Sequence, residues 1–321
     1  MKRALLIAGG GTLGTHTANE LLRLGCEVDV ICPEEKVSHH PNLHFIQSLA
    51  TDELLSDLFA KQHYDGIVNF IHYKTLDEYK KVHGLLINNT DHLIFLSSYR
   101  VYADLEHPIT EESPRLYDVS DDEDLLANEP YAIPKTKCED FLRNECKGQP
   151  WTIVRPFISI SQYRLDLHMH SRKSVMEAVQ NGKPLYIPAS AKHLGAGLDW
   201  AGNSGKLIAS LLFKPHTYGE AYTVSSAQNL TWEQVAQIYT DLTGVQVVWC
   251  SEEEFLEHFP ECRSGRTGWR WVYDRKFDRL IDNSKILAAT GLTSADFVSI
   301  RDGLAIEWNN QLQAEEHHFK M

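Results

Sequence analysis

The sequence predicts a doubly wound α/β sheet, on three observations. Short apolar runs alternate with amphipathic stretches through roughly the first hundred residues, the rhythm of strand, crossover helix and parallel strand. Several of the runs are apolar without interruption, as in strands whose two faces are both covered. Finally, Gly9, Gly11 and Gly14 fall directly after the first run, where the first helical stretch opens.

In chain order, strands are expected at 4–8, 27–31, 43–46, 66–70 and 92–96, with helices at 12–24, 52–61 and 76–87, each carrying apolar residues at helical spacing. Lys2 and Arg3 before the first run imitate a secretory leader. The run then meets glycines instead of extending to about 7–15 residues, so a buried strand is the better reading. A polar segment at 103–130 precedes a helix at about 131–146 and another apolar strand at 151–154. Residues 157–195, which include His168, His170 and His193, have no clear period. Beyond them, 199–213 read as a helix and 220–224 as a strand. Thr231 ahead of Glu233 and Gln234 has the form of a helix start, with Leu242 and Gly244 at its end, and closing helices are expected at 283–290 and 299–313.

The chain has 321 residues, 43% of them apolar, and 31 basic against 44 acidic side chains give a net charge of −13. That composition supports a large core and excludes a disordered chain. An acidic surface repels phosphate backbones, so no nucleic-acid partner is expected and small molecules are the default ligands. The six cysteines, at 26, 32, 138, 146, 250 and 262, form no C-x-x-C pair and read as reduced thiols. No apolar stretch reaches the roughly 18–20 residues of a membrane helix, so a soluble, cytoplasmic protein is expected.

Gly9, Gly11 and Gly14 form G-x-G-x-x-G between strand and helix. There they provide a tight turn, close backbone approach to a pyrophosphate, and a helix N-terminus aimed at its charge. Thr12 and Leu13 within the turn, Cys32 at the end of the second strand and Phe70 at the end of the fourth are expected to border the cofactor. An acid about 20 residues past the glycines should hold the adenosine ribose, and Glu34 or Glu35 stands there. No arginine is present to receive a 2′-phosphate, although Lys36 is close, so NAD is favoured and NADP is the alternative.

Ser98 lies just past the fifth strand, where parallel strands deliver side chains to a cofactor crevice, and Tyr131 with Lys135 makes a Y-x-x-x-K pair on one helix face. An ammonium beside a phenol stabilises the phenolate, so Tyr131 could exchange a proton with an alcohol or ketone near neutrality. Taken alone, the pair would suit an ordinary amphipathic helix.

Together these features resemble the extended short-chain dehydrogenase/reductase family, the NAD-dependent epimerase/dehydratase group. The likeness runs from the glycines and the following Thr15-His16-Thr17 through Ser97-Ser98-Tyr99-Arg100-Val101-Tyr102, Tyr131 to Lys135 and Thr152-Ile153-Val154-Arg155-Pro156. It continues to Gly219-Glu220-Ala221-Tyr222 and Asp282-Asn283-Ser284-Lys285. The resemblance implies a nucleotide domain at 1–160 plus about 196–228 and a smaller, discontinuous substrate domain at about 161–195 plus 229–321. It assigns Ser98 to polarising the substrate oxygen, Tyr131 to general acid/base work, and Lys135 to tuning Tyr131 and binding the nicotinamide ribose. The implied reaction is hydride transfer at a hydroxyl or ketone carbon of a sugar or nucleotide sugar, by an epimerase or a dehydrogenase, and a homodimer is compatible with it. The alternative is a catalytically inactive NAD(P)-binding structural or RNA-binding member of the family.

The departures are informative. Dehydratases of this family carry an Asp-Glu pair where Tyr99 and Arg100 stand, which argues against a 4,6-dehydratase. Ala103 replaces the glycine after Tyr102, Leu49 stands where an adenine-contacting Asp is expected, and Phe157 replaces the glycine after Pro156. His168, His170 and His193 lack the spacing of a metal site, so no metal is expected and they are assigned to substrate or water. The acidic run around Asp121–Asp124 reads as a solvated loop, with a lid as the alternative. Arg263, Arg266, Arg270, Arg275, Lys276 and Arg279 make a basic island that suits either an anion clamp or surface ion pairing.

Overall fold

A computed structural model describes residues 1–319. The strands are β1 (Arg3–Ile7), β2 (Glu27–Cys32), β3 (Leu43–Gln47), β4 (Gly66–Asn69), β5 (Leu93–Leu96), β6 (Trp151–Pro156), β7 (Ile158–Ile160), β8 (Leu185–Pro188), β9 (Leu198–Trp200), β10 (Glu220–Val224) and β11 (Val247–Cys250). Seven of them form one parallel sheet in the order β3-β2-β1-β4-β5-β6-β10. The doubly wound sheet expected from the alternating pattern is therefore present. Strand order reverses between β1 and β4, which opens a crevice at their carboxyl ends where ligands of such sheets bind.

The uninterrupted apolar runs follow from burial on both faces. Leu5, Ile7, Ile67, Phe95 and Ile153 pack beneath Tyr79 and Leu86 of the helix Leu76–Ile87 and Leu142 of the helix Ala132–Glu145. The alternate residues Leu6, Val28, Val30, Val68 and Val154 face Leu21 of the helix Thr12–Arg23 and Leu207 and Leu211 of the helix Ala201–Leu211. Each such side chain contributes on the order of 1.5–3 kcal/mol by leaving water.

A further core forms around Val175, Ile187, Leu198, Trp232, Tyr239 and Leu304, and it reaches back to Tyr99, Tyr102 and Phe157 at the end of the sheet. It draws on the region whose sequence shows no period. There the helix Arg172–Asn181 starts on a Ser171 cap and stops at Gly182 in the left-handed conformation, φ +64°. The remaining strands pair only as two-stranded parallel ribbons, β8 with β11 and β7 with β9, of three or four residues each. Such pieces are too short to display an alternation. The closing helix runs from Ile300 to Phe319, further than the 299–313 expected. All six cysteines are buried and unbridged. Among the described residues no helix is long and apolar enough to cross a membrane.

Candidate active site

At the end of β1, Ala8 takes a left-handed backbone, φ +56°, and turns the chain into the glycine loop. A Cβ on Gly9 would stand 2.7 Å from the Leu6 Cβ, and one on Gly14 would overlap the Gly9 carbonyl. These two glycines let helix and strand close together. Gly11 differs, because a Cβ there would meet nothing within 4 Å. It is the N-cap of the helix Thr12–Arg23 and makes no side-chain cap, so the first N–H groups of that helix have no capping side chain, the setting in which an anion binds. The open space at Gly11 and the close packing at Gly9 and Gly14 fit a dinucleotide pyrophosphate.

At the end of β2 the sequence expectations divide. The Cys32 side chain is buried and packs 2.6 Å from where a Gly10 Cβ would be. Glu34 places a carboxylate oxygen 3.0 Å from that same point. The Lys36 Nζ donates to the Gly10 carbonyl at 2.5 Å, so an acid and a base both stand over the turn.

Gly11, Thr12, Leu13, Gly14, Phe70, Ser98 and Tyr131 all line one cavity of about 580 Å³. Gly9, Cys32, Glu34 and Lys135 lie outside its wall. Lys135 is buried behind it, where its Nζ donates to the Leu96 carbonyl at 2.6 Å and lies 5.5 Å from the centre of the Tyr131 ring. Tyr131 precedes the helix Ala132–Glu145 and is half-buried, sharing the cavity wall with Ser98. Burial alone would raise its pKa. The Lys135 charge, the Ser98 hydroxyl and the charges of Arg100 and Arg164 outweigh it, and the phenol is held below its ordinary value.

The wall is strongly cationic. Arg100, Arg164, Arg266, Arg270 and Arg275 line the cavity against the single carboxylate of Asp274. Crowding shows on Arg270, pulled down to about 10 first by the charge of Arg275 and then by burial. The basic island thus divides: Arg266, Arg270 and Arg275 face the cavity, Arg263 is exposed elsewhere, and Lys276 pairs with Glu252 at 2.8 Å. Arg279 is buried under the rings of Tyr99 and Phe277.

Two expectations need correction. His168 and His170 do not reach the cavity: both are buried, His168 among Trp232, Phe255 and Trp271, and His170 against the Tyr186 carbonyl and Phe259. Burial pushes both below the usual imidazole range, so they serve as neutral core residues. Within the acidic run, Asp122 caps the helix Glu123–Asn128 and accepts from the Tyr273 hydroxyl at 2.6 Å, more than a solvated loop would do. Glu129, Arg164 and His72 went unnoticed in the sequence. His72 packs 5.0 Å from the Tyr131 ring, and no motif marks it.

Comparison with known proteins bears on the fold and the family. UDP-glucose 4-epimerase 1 of rice, Oryza sativa subsp. japonica, is 28% identical over 185 residues, 47% of this chain and 49% of the relative, so this chain spans about half the length of the curated relative it matches. An epimerase from Methanothermobacter thermautotrophicus superposes with a TM-score of 0.70 at 18% identity, over 99% of this chain and 94% of that one. The UDP-glucuronic acid 4-epimerase of Bacillus cereus, solved with UDP-glucuronic acid and NAD, gives 0.69 at 17% identity, over 97% and 99%. At such identities the likeness is one of fold. The sequence model of the NAD dependent epimerase/dehydratase family matches residues 5–194, the stretch that holds the glycine turn, Ser98, Tyr131 and Lys135, and the chain belongs to that family.

Proposed function

We propose that this chain uses NAD to move a hydride at a hydroxyl or ketone carbon of a nucleotide-linked sugar, as an epimerase or a dehydrogenase. The observation that carries this reading is the meeting of Ser98, Tyr131 and the open Gly11 turn in one cavity, with Lys135 directly behind Tyr131. NAD, held over Gly11, Thr12 and Leu13, supplies the hydride acceptor when bound. Ser98 hydrogen-bonds the reacting oxygen. Tyr131, kept acidic by its cationic neighbours, takes the hydroxyl proton as the carbon is oxidised and returns it on reduction. Lys135 stabilises the phenolate from behind the ring and, as the family resemblance implies, binds the nicotinamide ribose.

The excess of arginine over carboxylate in the wall favours an anionic substrate, and a nucleoside diphosphate provides that charge. The family membership and the rice relative, named for UDP-glucose, point the same way. Tyr99 donates to Asp274 at 2.7 Å and Arg100 is permanently cationic, so neither can act as the acid/base pair of a 4,6-dehydratase.

Incubation with NAD and a panel of UDP-hexoses and UDP-hexuronates tests the proposal. Reduced-nicotinamide absorbance that accumulates with oxidised sugar identifies a dehydrogenase. An epimeric sugar, resolved by NMR, without net reduction of NAD identifies an epimerase. No turnover across the panel, together with no NAD binding by calorimetry, would sink the reading.

A further inference from the structure

Arg100 stands one side chain away from the reacting group, two residues after Ser98. Its backbone N–H donates to the Ser98 Oγ at 3.2 Å, and its guanidinium carbon lies 4.9 Å from the centre of the Tyr131 ring. Glu129 holds it there. One carboxylate oxygen of Glu129 accepts from Arg100 at 3.2 Å, and the other accepts from the N–H groups of Tyr131, Ala132 and Ile133 at 2.9, 2.6 and 3.2 Å. A single buried carboxylate therefore fixes both the first turn behind Tyr131 and the cation over its ring.

We propose that Arg100, positioned by Glu129, is a second cation for the Tyr131 phenolate, acting from the loop after β5 while Lys135 acts from the helix. The inference rests on the acid/base role proposed for Tyr131. A guanidinium at this distance attracts a phenolate ring more strongly than a neutral phenol. Of the other groups around the ring, Arg164 pulls the same way as Arg100 but less strongly. Burial and the charge of Lys135 hold His72 neutral, and Arg164 is engaged by Asp166 at 2.8 Å. The negative charge of Glu129 is drawn toward helix N–H donors, and Asp274, 3.6 Å from the Arg100 Nε, is shared with Arg275 at 2.6 Å. The Arg100 Nε itself has no hydrogen-bond acceptor and is shielded from water, so its field at Tyr131 is poorly screened.

The test is a pH titration of isotope-labelled tyrosine Cζ by NMR in the full-length protein, with the Tyr131 signal assigned by its loss in Tyr131→Phe. In the wild type the signal should titrate below the value of about 10 for free tyrosine. Arg100→Gln should raise the midpoint by roughly half a unit to one unit, the scale of one nearby charge at a partly exposed site. Arg100→Lys should restore most of that shift, and Arg100→Gln with Lys135→Met should exceed either change alone. An unmoved midpoint in folded Arg100→Gln would overturn the proposal. So would equal shifts in the Gln and Lys variants, which would mean that Arg100 only holds the loop in place. A wild-type midpoint above that of free tyrosine would instead remove the acid/base role of Tyr131, and this inference with it.

Discussion

The three motif glycines are interchangeable letters in the sequence and differ in what a side chain would meet. Gly11 has φ −86° and open space, so Gly11→Val should fold normally while its side chain fills the approach to the pyrophosphate. Calorimetry should show NAD binding abolished with the circular dichroism unchanged, and unchanged affinity would remove the assigned site. Gly14→Ala should do the reverse of this variant's damage, destabilising the fold by about 1–3 kcal/mol in urea titration because its Cβ overlaps the Gly9 backbone. Tyr131→Phe keeps the ring and deletes the exchangeable proton. Cofactor and substrate should still bind while turnover falls by roughly 10²–10⁴-fold, the loss typical of a positioned acid/base. Since Tyr131 is held below its ordinary value, first against burial by Lys135 and then by Ser98, activity should rise with pH through an apparent pKa below that of free tyrosine. Lys135→Met should move that limb upward and weaken NAD binding, and full activity in Tyr131→Phe would exclude the mechanism.

At the scale of elements, the helix behind Tyr131 is fastened to the sheet by a buried ion pair. Arg155 of β6 donates to both oxygens of Glu139, at 2.9 and 2.5 Å, and its remaining bonds go to the Tyr102 hydroxyl and the Glu111 carbonyl. Arg155→Met removes the bidentate partner of Glu139 and leaves the buried carboxylate with only the Arg115 guanidinium at 3.5 Å, at a cost of about 3 kcal/mol, the lower end for a broken buried pair. Although burial opposes it, the Arg155 charge holds the Glu139 pKa below its ordinary value. The wild-type contribution is therefore complete above the unfolded carboxyl pKa of about 4.3 and is lost as pH falls through the folded value. Denaturant titrations at neutral and acid pH should show the deficit of Arg155→Met largest at neutrality and narrowing in acid, where protonation relieves the stranded carboxylate. This fastening could be anticipated only in outline. The Arg155-Pro156 motif and the Tyr131 helix are visible in sequence, because continuous apolar runs and an i, i+4 pair are local signals. The seven-stranded sheet was legible for the same reason. The ribbons β7–β9 and β8–β11 were not, since three or four residues carry no period. Nor was the contact of Arg100 with Glu129, 29 residues apart and made neighbours only by folding.

For the whole molecule, a net charge of −13 encloses a cavity whose wall is cationic, so anionic ligands are favoured inside and repelled elsewhere. The crevice is also where separate parts of the chain meet. Thr12 of the glycine turn and Ser161 beyond β7 share a hydrogen bond of 2.9 Å, and Tyr99 after β5 binds Asp274 at 2.7 Å. A ligand seated there touches residues from the sheet and from the segments packed against its end, and unfolding any of them releases it. Binding to the folded state alone adds RT ln(1 + [L]/Kd), about 2.7 kcal/mol at a hundredfold excess over Kd, which for a chain of this size is a rise of several degrees in melting temperature. NAD should therefore raise the melting temperature of the wild type in a concentration-dependent way. Gly11→Val should start from the wild-type temperature without NAD and gain nothing from it, because its defect lies in the site and not in the core. NADP makes the comparison sharper. Glu34 over the turn opposes a 2′-phosphate while Lys36 is occupied by the Gly10 carbonyl, so NADP should give the smaller shift at equal concentration. A larger shift with NADP would reverse the role assigned to Glu34, and an equal NAD shift in Gly11→Val would place the cofactor away from the glycine turn.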